Sequence, residues 1–349
     1  MKISKKVCLI LIILLASFYM LYAFKSDSNL TNTNLKTNIK SDLKGYKVAF
    51  ASDRGDNNVD IWFSDPDGSN QKCLTDSKDG IDMYPEWGPE SKYIYYTSNK
   101  HGGTMELYRI CTNNNSKPEQ LSLFDREVRS LSVSNDNKYI ALGIMSSNVP
   151  FGSDLKDYSA DLYILETKKM NEFISNNKLL TIKDLNLLLS NPQEEHIWYE
   201  QPDFQKLSHD DKPVLAFVRT ENYDNDKISK DEIWTINVDG SNLKKILDNM
   251  SMPRWTFDDS KIITHEFNVL NLSNNNVNTL KIDGLNNSAG AASISPDNKY
   301  VIFEMSDENR KAGLARIIYS NENKKNPITK FSDRQIYEPR WSPTPLITH

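Results

Sequence analysis

One repeating unit runs through this chain, and one copy of it is cut in two and shared between the ends. The unit is clearest at Pro85-Glu86-Trp87-Gly88-Pro89-Glu90, followed by the β-branched and aromatic run Lys92-Tyr93-Ile94-Tyr95-Tyr96-Thr97-Ser98. The copy at Pro339-Arg340-Trp341-Ser342-Pro343 has no such run after it. Its missing half stands at the other end of the folded region, as Tyr46-Lys47-Val48-Ala49-Phe50-Ala51-Ser52. A repeat divided in this way predicts a closed ring. Each unit buries its two faces only against neighbours, so an open stack would leave the terminal units wet and their strand edges unpaired.

The anchoring apolar residues of the six copies are Trp87, Val133, Phe204, Trp255, Ile294 and Trp341, at steps of 46, 71, 51, 39 and 47 residues. Periods of this size mark propellers and solenoids. The long step holds an insertion, Thr167 to Glu195. Its Thr181-Ile182-Lys183-Asp184 reads as a capping box ahead of Leu185, Leu187, Leu188 and Leu189, a helical signature. Within each copy a second strand-like run follows the anchor, then a third. The third is best seen in Asp60-Ile61-Trp62 through Asn70 and in Glu232-Ile233-Trp234 through Asn242, which agree at six of eleven positions. Weaker third runs begin at Glu106, Asp161, Thr279 and Leu314. Asp67-Gly68, Asp239-Gly240 and Asp283-Gly284 predict two-residue type I′ hairpins into a fourth strand such as Gln71 to Thr75. The expectation is an all-β chain: a six-bladed β-propeller of four-stranded antiparallel blades. N-terminal strands join the C-terminal inner strand to close it.

Ahead of this ring, the basic start Met1 to Lys6 precedes 18 uncharged residues, Val7 to Phe24. As a helix these would reach about 27 Å, close to the thickness of a bilayer core. The segment 1–24 therefore reads as a signal-anchor or signal peptide, with the basic end in the cytoplasm and the propeller outside it. An uncleaved single-pass anchor in the cell membrane is favoured, because Leu21-Tyr22-Ala23 places Leu where a cleavage site prefers a small residue. Secretion after cleavage is the alternative. Residues 25–45, polar and almost without apolar content, form a solvated linker, and 46–349 the propeller. Cys8 lies in the apolar run, and Cys73 and Cys111 read as free thiols.

The order of the Pro-x-Trp turn, the strand Lys92 to Ser98, Ser52-Asp53-Arg54, Asp60-Ile61-Trp62, Asp67-Gly68-Ser69-Asn70 and Leu74-Thr75 resembles the TolB-like β-propeller family with its WD40-like repeats. The resemblance spans residues 46 to 343, without the N-terminal α/β domain of TolB. It implies six blades, export, and a scaffold for protein contacts in the cell envelope. The propellers of prolyl oligopeptidase and dipeptidyl peptidase IV relatives have similar repeats.

Chemistry is sparse in this sequence. The net charge of -5, with acids and bases interspersed, gives no basic stripe for a nucleic-acid backbone. No Gly-x-Ser-x-Gly elbow is present, and His101, His196, His209, His265 and His349 are scattered without metal-ligand spacing. Neither a catalytic residue, a cofactor nor a metal is expected. The clusters Asp53/Asp56/Asp60 and Asp76/Asp79/Asp82 do not fit a calcium loop and read as turn and capping residues. Trp87, Trp255 and Trp341 share one repeat position and read as wedges between blades. The candidate binding residues are those beside the anchors that approach the central channel, Glu86, Asp203, Arg254 and Arg340, with Ser132 and Ser293 in the same layer. Trp198 and Tyr199, next to Glu200 at the insertion edge, are the candidate aromatic contact. The function expected is binding of an envelope or extracellular protein or peptide. The alternative is a propeller enzyme, a lyase or hydrolase acting on carbohydrate, with residues converging in the channel.

Overall fold

The computed structural model describes residues 42–54, 58–78, 80–113, 116–148, 158–190, 197–207, 212–221, 230–280, 289–306, 312–318, 326–327 and 336–346. Strands dominate, and the one α-helix among the described residues is Thr167–Ser175. The strands fall into antiparallel sets of four. One set joins Ile336–Trp341, Val48–Ser52, Asp60–Ser64 and Lys72–Cys73. The next joins Asp82–Trp87, Tyr93–Ser98, Glu106–Cys111 and Glu119–Gln120. Two further sets are fused into an eight-stranded sheet by a single parallel bridge from Ala160 to Trp198. They run from Val128–Val133 to Asn186–Leu189, and from Ile197–Phe204 to Lys244–Asp248. The last two sets begin at Arg254–Trp255 and Ala289–Ile294.

The first strand of each set packs against the first strand of the next. Ile336–Trp341 meets both Ala289–Ile294 and Asp82–Trp87, so the inner strands contact one another in a closed cycle. Closure joins the two ends of the chain as the divided repeat requires. Val48 pairs with Trp341, Ala49 with Arg340, Ala51 with Tyr337 and Ser52 with Ile336. Ser342 N–H donates to the Lys47 carbonyl at 2.8 Å and Leu346 N–H to the Gly45 carbonyl at 2.8 Å. Gly45 lies at φ 85°, and a Cβ there would come within 3.0 Å of Pro345. Both conditions favour glycine.

The core lies between faces of neighbouring sets. Ala49, Ala51 and Ile61 pack with Trp87, Ile94, Tyr96 and Tyr108, and Leu162 and Ile164 with Phe204, Leu215 and Phe217. Trp87 and Trp341 are each 3% exposed. Their indole N–H groups donate backwards across the seam, Trp87 to the Arg340 carbonyl at 3.0 Å and Trp341 to the Ser293 carbonyl at 3.2 Å. Each wedge contributes roughly 2–3 kcal/mol through the apolar surface it removes from water, and its hydrogen bond fixes the rotation of one set against the next.

A buried acid heads the third strand of four sets, at Asp60, Glu106, Asp161 and Glu232. Asp60 accepts from Ser77 N–H at 2.9 Å and Thr75 Oγ1 at 3.1 Å. Glu106 accepts from Phe124 N–H at 2.9 Å. These carboxylates satisfy backbone donors that leave the fourth strand, which is their turn and capping duty. Burial pushes both carboxyls up from their ordinary values.

Three local expectations are corrected. The connections at Asp67-Gly68 and Asp239-Gly240 are not type I′, because within each Asp-Gly pair only the glycine has positive φ, Gly68 at 79° and Gly240 at 84°. Each Asp instead accepts from the Ser two residues on, Ser69 N–H at 3.0 Å and Ser241 N–H at 3.1 Å, within a longer loop. The capping box at Thr181 and Asp184 is present, but it opens only the 3₁₀ turn Ile182–Asp184. The leucines beyond it form the strand Asn186–Leu189, the fourth of its set, because the free edge of Ala160–Glu166 claims them. The run at Thr279 is not a third strand. Asn268–Asn271 takes that place and Val277–Thr279 is fourth.

The expected anchor at 7–24, nearly all of the linker, Cys8 and Asp283-Gly284 lie outside the described residues. No helix among the described residues is long and apolar enough to cross a membrane. Cys73 and Cys111 are free thiols, and burial with Asp60 and Asp76 nearby pushes Cys73 up to about 12.

Candidate functional site

The inner strands are short, and four of them carry the same irregularity. Tyr84, Gln201, Met252 and Glu338, each the residue before a proline, take left-handed backbone at φ 56°, 55°, 52° and 49°. For residues with a Cβ this costs roughly 1–2 kcal/mol apiece. The ladder slips beside three of them, between Met83 and Glu86, between Glu200 and Asp203, and opposite Ala49 and Ala51. The slip is a bulge, and a bulge re-aims the side chains on either side of it. Residues before the proline turn to one end of the channel, and residues after it form a layer in the middle.

That middle layer contains the expected residues Glu86, Ser132, Asp203, Arg254, Ser293 and Arg340, all buried at 9% exposure or less. Several are committed to joining neighbouring sets. Ser132 Oγ accepts from Phe204 N–H at 3.1 Å, and Asp203 Oδ2 from Trp255 N–H at 2.6 Å. Asp203 also pairs with Lys206 at 2.8 Å. Arg340 Nε reaches Glu86 at 3.2 Å and its terminal nitrogen reaches Glu338 at 3.0 Å. Burial pushes the Glu86 carboxyl up against the pull of Arg340. Arg254 donates to the Pro253 carbonyl at 2.8 Å, and its Nε has no partner. Burial, with Arg340 beside it, draws its guanidinium down from the ordinary value.

Arg254 and Arg340 stand between two recesses. The narrow one, about 40 Å³, is framed by the anchors Trp87, Trp255 and Trp341 with Glu86, Asp203 and Lys206. The wide one, about 200 Å³, is lined by Tyr84, Arg129, Glu200, Gln201, Met252 and Glu338. In the wide recess Arg129 pairs with Glu127 at 3.1 Å and Glu200 at 3.4 Å. Burial raises the Glu200 carboxyl and the Tyr84 hydroxyl, the latter with help from Glu338. Glu304 lies behind Glu338, whose N–H it accepts at 3.3 Å. Burial and the Glu338 charge push it up to about 7.

Trp198 and Tyr199 sit at the far end of Ile197–Phe204 from Asp203. Trp198 is 4% exposed with Arg129 5.4 Å over its ring, and Tyr199 packs edge-on to Phe217 at 6.1 Å. Trp198 backs Arg129, Tyr199 is half-buried against Phe217, and neither lines the two recesses. Tyr84, Arg129, Glu304 and Glu338 were not singled out in the sequence. The available signal was the residue preceding each inner-strand proline. Among the described residues no cluster of three His, Cys, Asp or Glu side chains could hold a metal ion. His101 bonds the Tyr108 hydroxyl at 2.6 Å.

A model of the N-terminal region of dipeptidyl peptidase IV matches residues 23–151. Comparison with curated proteins gives no match. The solved structure of TolB from Acinetobacter baumannii superposes with a TM-score of 0.58 at 15% identity, over 85% of this chain and 67% of that one. The fold is a TolB-like β-propeller. The nidogen–laminin complex contains a similar chain, with a TM-score of 0.57 at 12% identity over 85% of this chain and 98% of that one. Oligogalacturonate lyase in complex with manganese gives 0.50 at 14% identity, over 78% and 71%. Likeness at these identities concerns the fold, and a shared propeller hosts many functions.

Proposed function

We propose that this chain is a six-bladed propeller that binds a protein or peptide segment at the wide recess of its channel. It would be held outside the cytoplasm by residues 7–24 as a membrane anchor, with 25–45 as tether and 46–349 as the propeller. The observation that carries the binding reading is the recess itself. Left-handed residues before the inner-strand prolines, three of them beside bulges, bring Tyr84, Gln201, Met252 and Glu338 to one opening at a cost in backbone strain. Strain of this kind clusters at sites where geometry has a use. The six inner strands in cyclic contact support the blade count, and the likeness to TolB and to the nidogen–laminin chain supports a protein partner. In-cell crosslinking from a photoreactive residue at position 252, followed by mass spectrometry, tests the reading. Reproducible recovery of one partner, lost when Tyr84 is replaced by Ala, is expected. Repeated recovery of none would remove the proposal.

A second reading, an enzyme acting on carbohydrate, draws support from the likeness to oligogalacturonate lyase. Incubation of the purified chain with oligogalacturonate and manganese decides it, since chain cleavage would favour the enzyme.

A further inference from the structure

Three of the four bases on the channel wall are paired with carboxylates, and the fourth is not. Lys206 is matched by Asp203, Arg129 by Glu127 and Glu200, and Arg340 by Glu86 and Glu338, each pair within hydrogen-bonding reach or slightly beyond it. Asp203, Glu338 and Glu86 are near enough to act on Arg254 through space, but the two oxygens of Asp203 are already taken by Trp255 N–H and Lys206, and Glu338 and Glu86 are paired with Arg340. Arg254 forms no ion pair among the described residues. It is 7% exposed, its Nε is an unpartnered donor, and its side chain borders both recesses. A buried cation with an unused donor is costly unless an anion completes it. A guanidinium offers a planar fork matched to a carboxylate.

We propose that Arg254 is the receptor for one carboxylate, carried on an acidic side chain of the partner segment and inserted through the wide recess. The size of the opening selects this occupant. About 200 Å³ falls below the roughly 300–1,000 Å³ of sites that enclose a whole small ligand, so the recess admits one side chain rather than several sugar rings. Tyr84, Gln201 and Met252 line the same recess and offer an incoming side chain apolar surface and polar donors. This inference rests on the protein-binding reading.

The test is an NMR titration of the full chain labelled with ¹⁵N at arginine Nε, with the Arg254 resonance identified by its absence in Arg254→Lys. Three probes are compared: the blocked tripeptide acetyl-Ala-Glu-Ala-amide, its Gln counterpart, and digalacturonate. A saturable shift of the Arg254 resonance with the Glu peptide is expected, at an affinity at least about tenfold above that for the Gln peptide, as a charge-assisted pair requires. Equal response to Glu and Gln, or none to either, would overturn the proposal. Saturation by digalacturonate alone would overturn it in favour of a sugar acid. If Arg254→Lys does not fold, single Arg→Lys replacements at the other nine arginines assign their resonances and leave that of Arg254 by difference. Crosslinking and titration fail separately. A partner recovered without a Glu-selective shift leaves the binding reading intact and removes only the carboxylate.

Discussion

The two recesses are built from the same inner strands, yet they use their polar residues differently. On the narrow side the polar groups are structural. Asp203 holds the backbone of the next set through Trp255, Ser132 holds that of Phe204, and the indole of Trp87 holds the Arg340 carbonyl. On the wide side there are side-chain pairs, Arg129 with Glu200 and Arg340 with Glu338 on its own strand, beside backbone anchors in which Ser130 Oγ accepts from Gln201 N–H and Gln201 Oε1 from Met252 N–H, both at 2.9 Å. Replacing a residue that anchors the next set should therefore loosen the ring, whereas replacing one without such a bond chiefly changes what the opening presents. Asp203 and Arg254 make the contrast sharpest, because they occupy equivalent positions on successive inner strands. One has every oxygen engaged, and the other has a donor to spare.

Asp203→Ala is the most severe way to break this contrast. It deprives Trp255 N–H of its acceptor and leaves Lys206, whose side chain is mostly buried, without its carboxylate. Removing one member of a buried pair costs about 3–5 kcal/mol, so the denaturation midpoint should fall steeply in urea. A loss under about 1 kcal/mol, the size of a surface pair, would mean that the narrow side is not what holds the sets together.

Arg254→Met goes the other way. The substitution removes a buried charge that lacks a carboxylate and keeps much of its volume. Stability should stay level or rise by about 1–3 kcal/mol, as when unbalanced buried charge gives way to apolar packing. Arg340→Met is the control, since it strands Glu86 and should cost about 3 kcal/mol by the same reasoning. A loss for Arg254→Met as large as for Arg340→Met would show that Arg254 is a structural residue like its neighbour.

The order of severity follows what could be read in the sequence. The anchors Trp87, Trp255 and Trp341 recur because every seam needs a wedge of the same size, and recurrence is visible without coordinates. The split copy at Trp341 and Val48 was legible for the same reason. Pairing across the channel was not. Glu86 and Arg340 are 254 residues apart, and nothing in either segment marks which of the two available bases Glu86 will take. The strained residues were half legible. The prolines at 85, 202, 253 and 339 were used as repeat markers, but each one's consequence falls on the residue before it, where the turn type is fixed by the bulge opposite. The leucines at 187–189 misled because their spacing suits a helix, while their fate was decided by an unfilled sheet edge at Ala160–Glu166, which is tertiary information.

Glu304 gives the smallest effect and tests whether the wide recess responds to conditions as the narrow one does not. Its carboxyl lies where a side chain on residue 290 would go, since a Cβ built on Gly290 would fall 1.4 Å from Glu304 Oε1. Facing it are the Glu338 carboxylate, the backbone N–H groups of Glu338 and Ala291, the Arg340 guanidinium and the Tyr337 ring. Burial and the Glu338 charge win over the two N–H donors and Arg340, and push Glu304 from 4.5 to about 7. Because the folded value is the higher one, the protonated acid is favoured by folding. Its contribution is complete below about pH 4.5 and is lost as the pH rises through about 7. Glu232 runs oppositely. Despite its burial, hydrogen bonds from Lys230, Trp234 and Lys245 hold it down to about 2, so its contribution is lost only under acid. Glu86, Glu200, Asp60 and Glu106 are raised as well, so the Glu304 share of the slope between about pH 5 and 8 is the part that Glu304→Gln removes. The melting temperature should fall by a few degrees across that window, and Glu304→Gln, which is neutral throughout, should flatten the slope. An unchanged slope in Glu304→Gln would place the titrating group elsewhere. A flattened one would assign the loss to Glu304, which faces Glu338 and Arg340 at the edge of the wide recess.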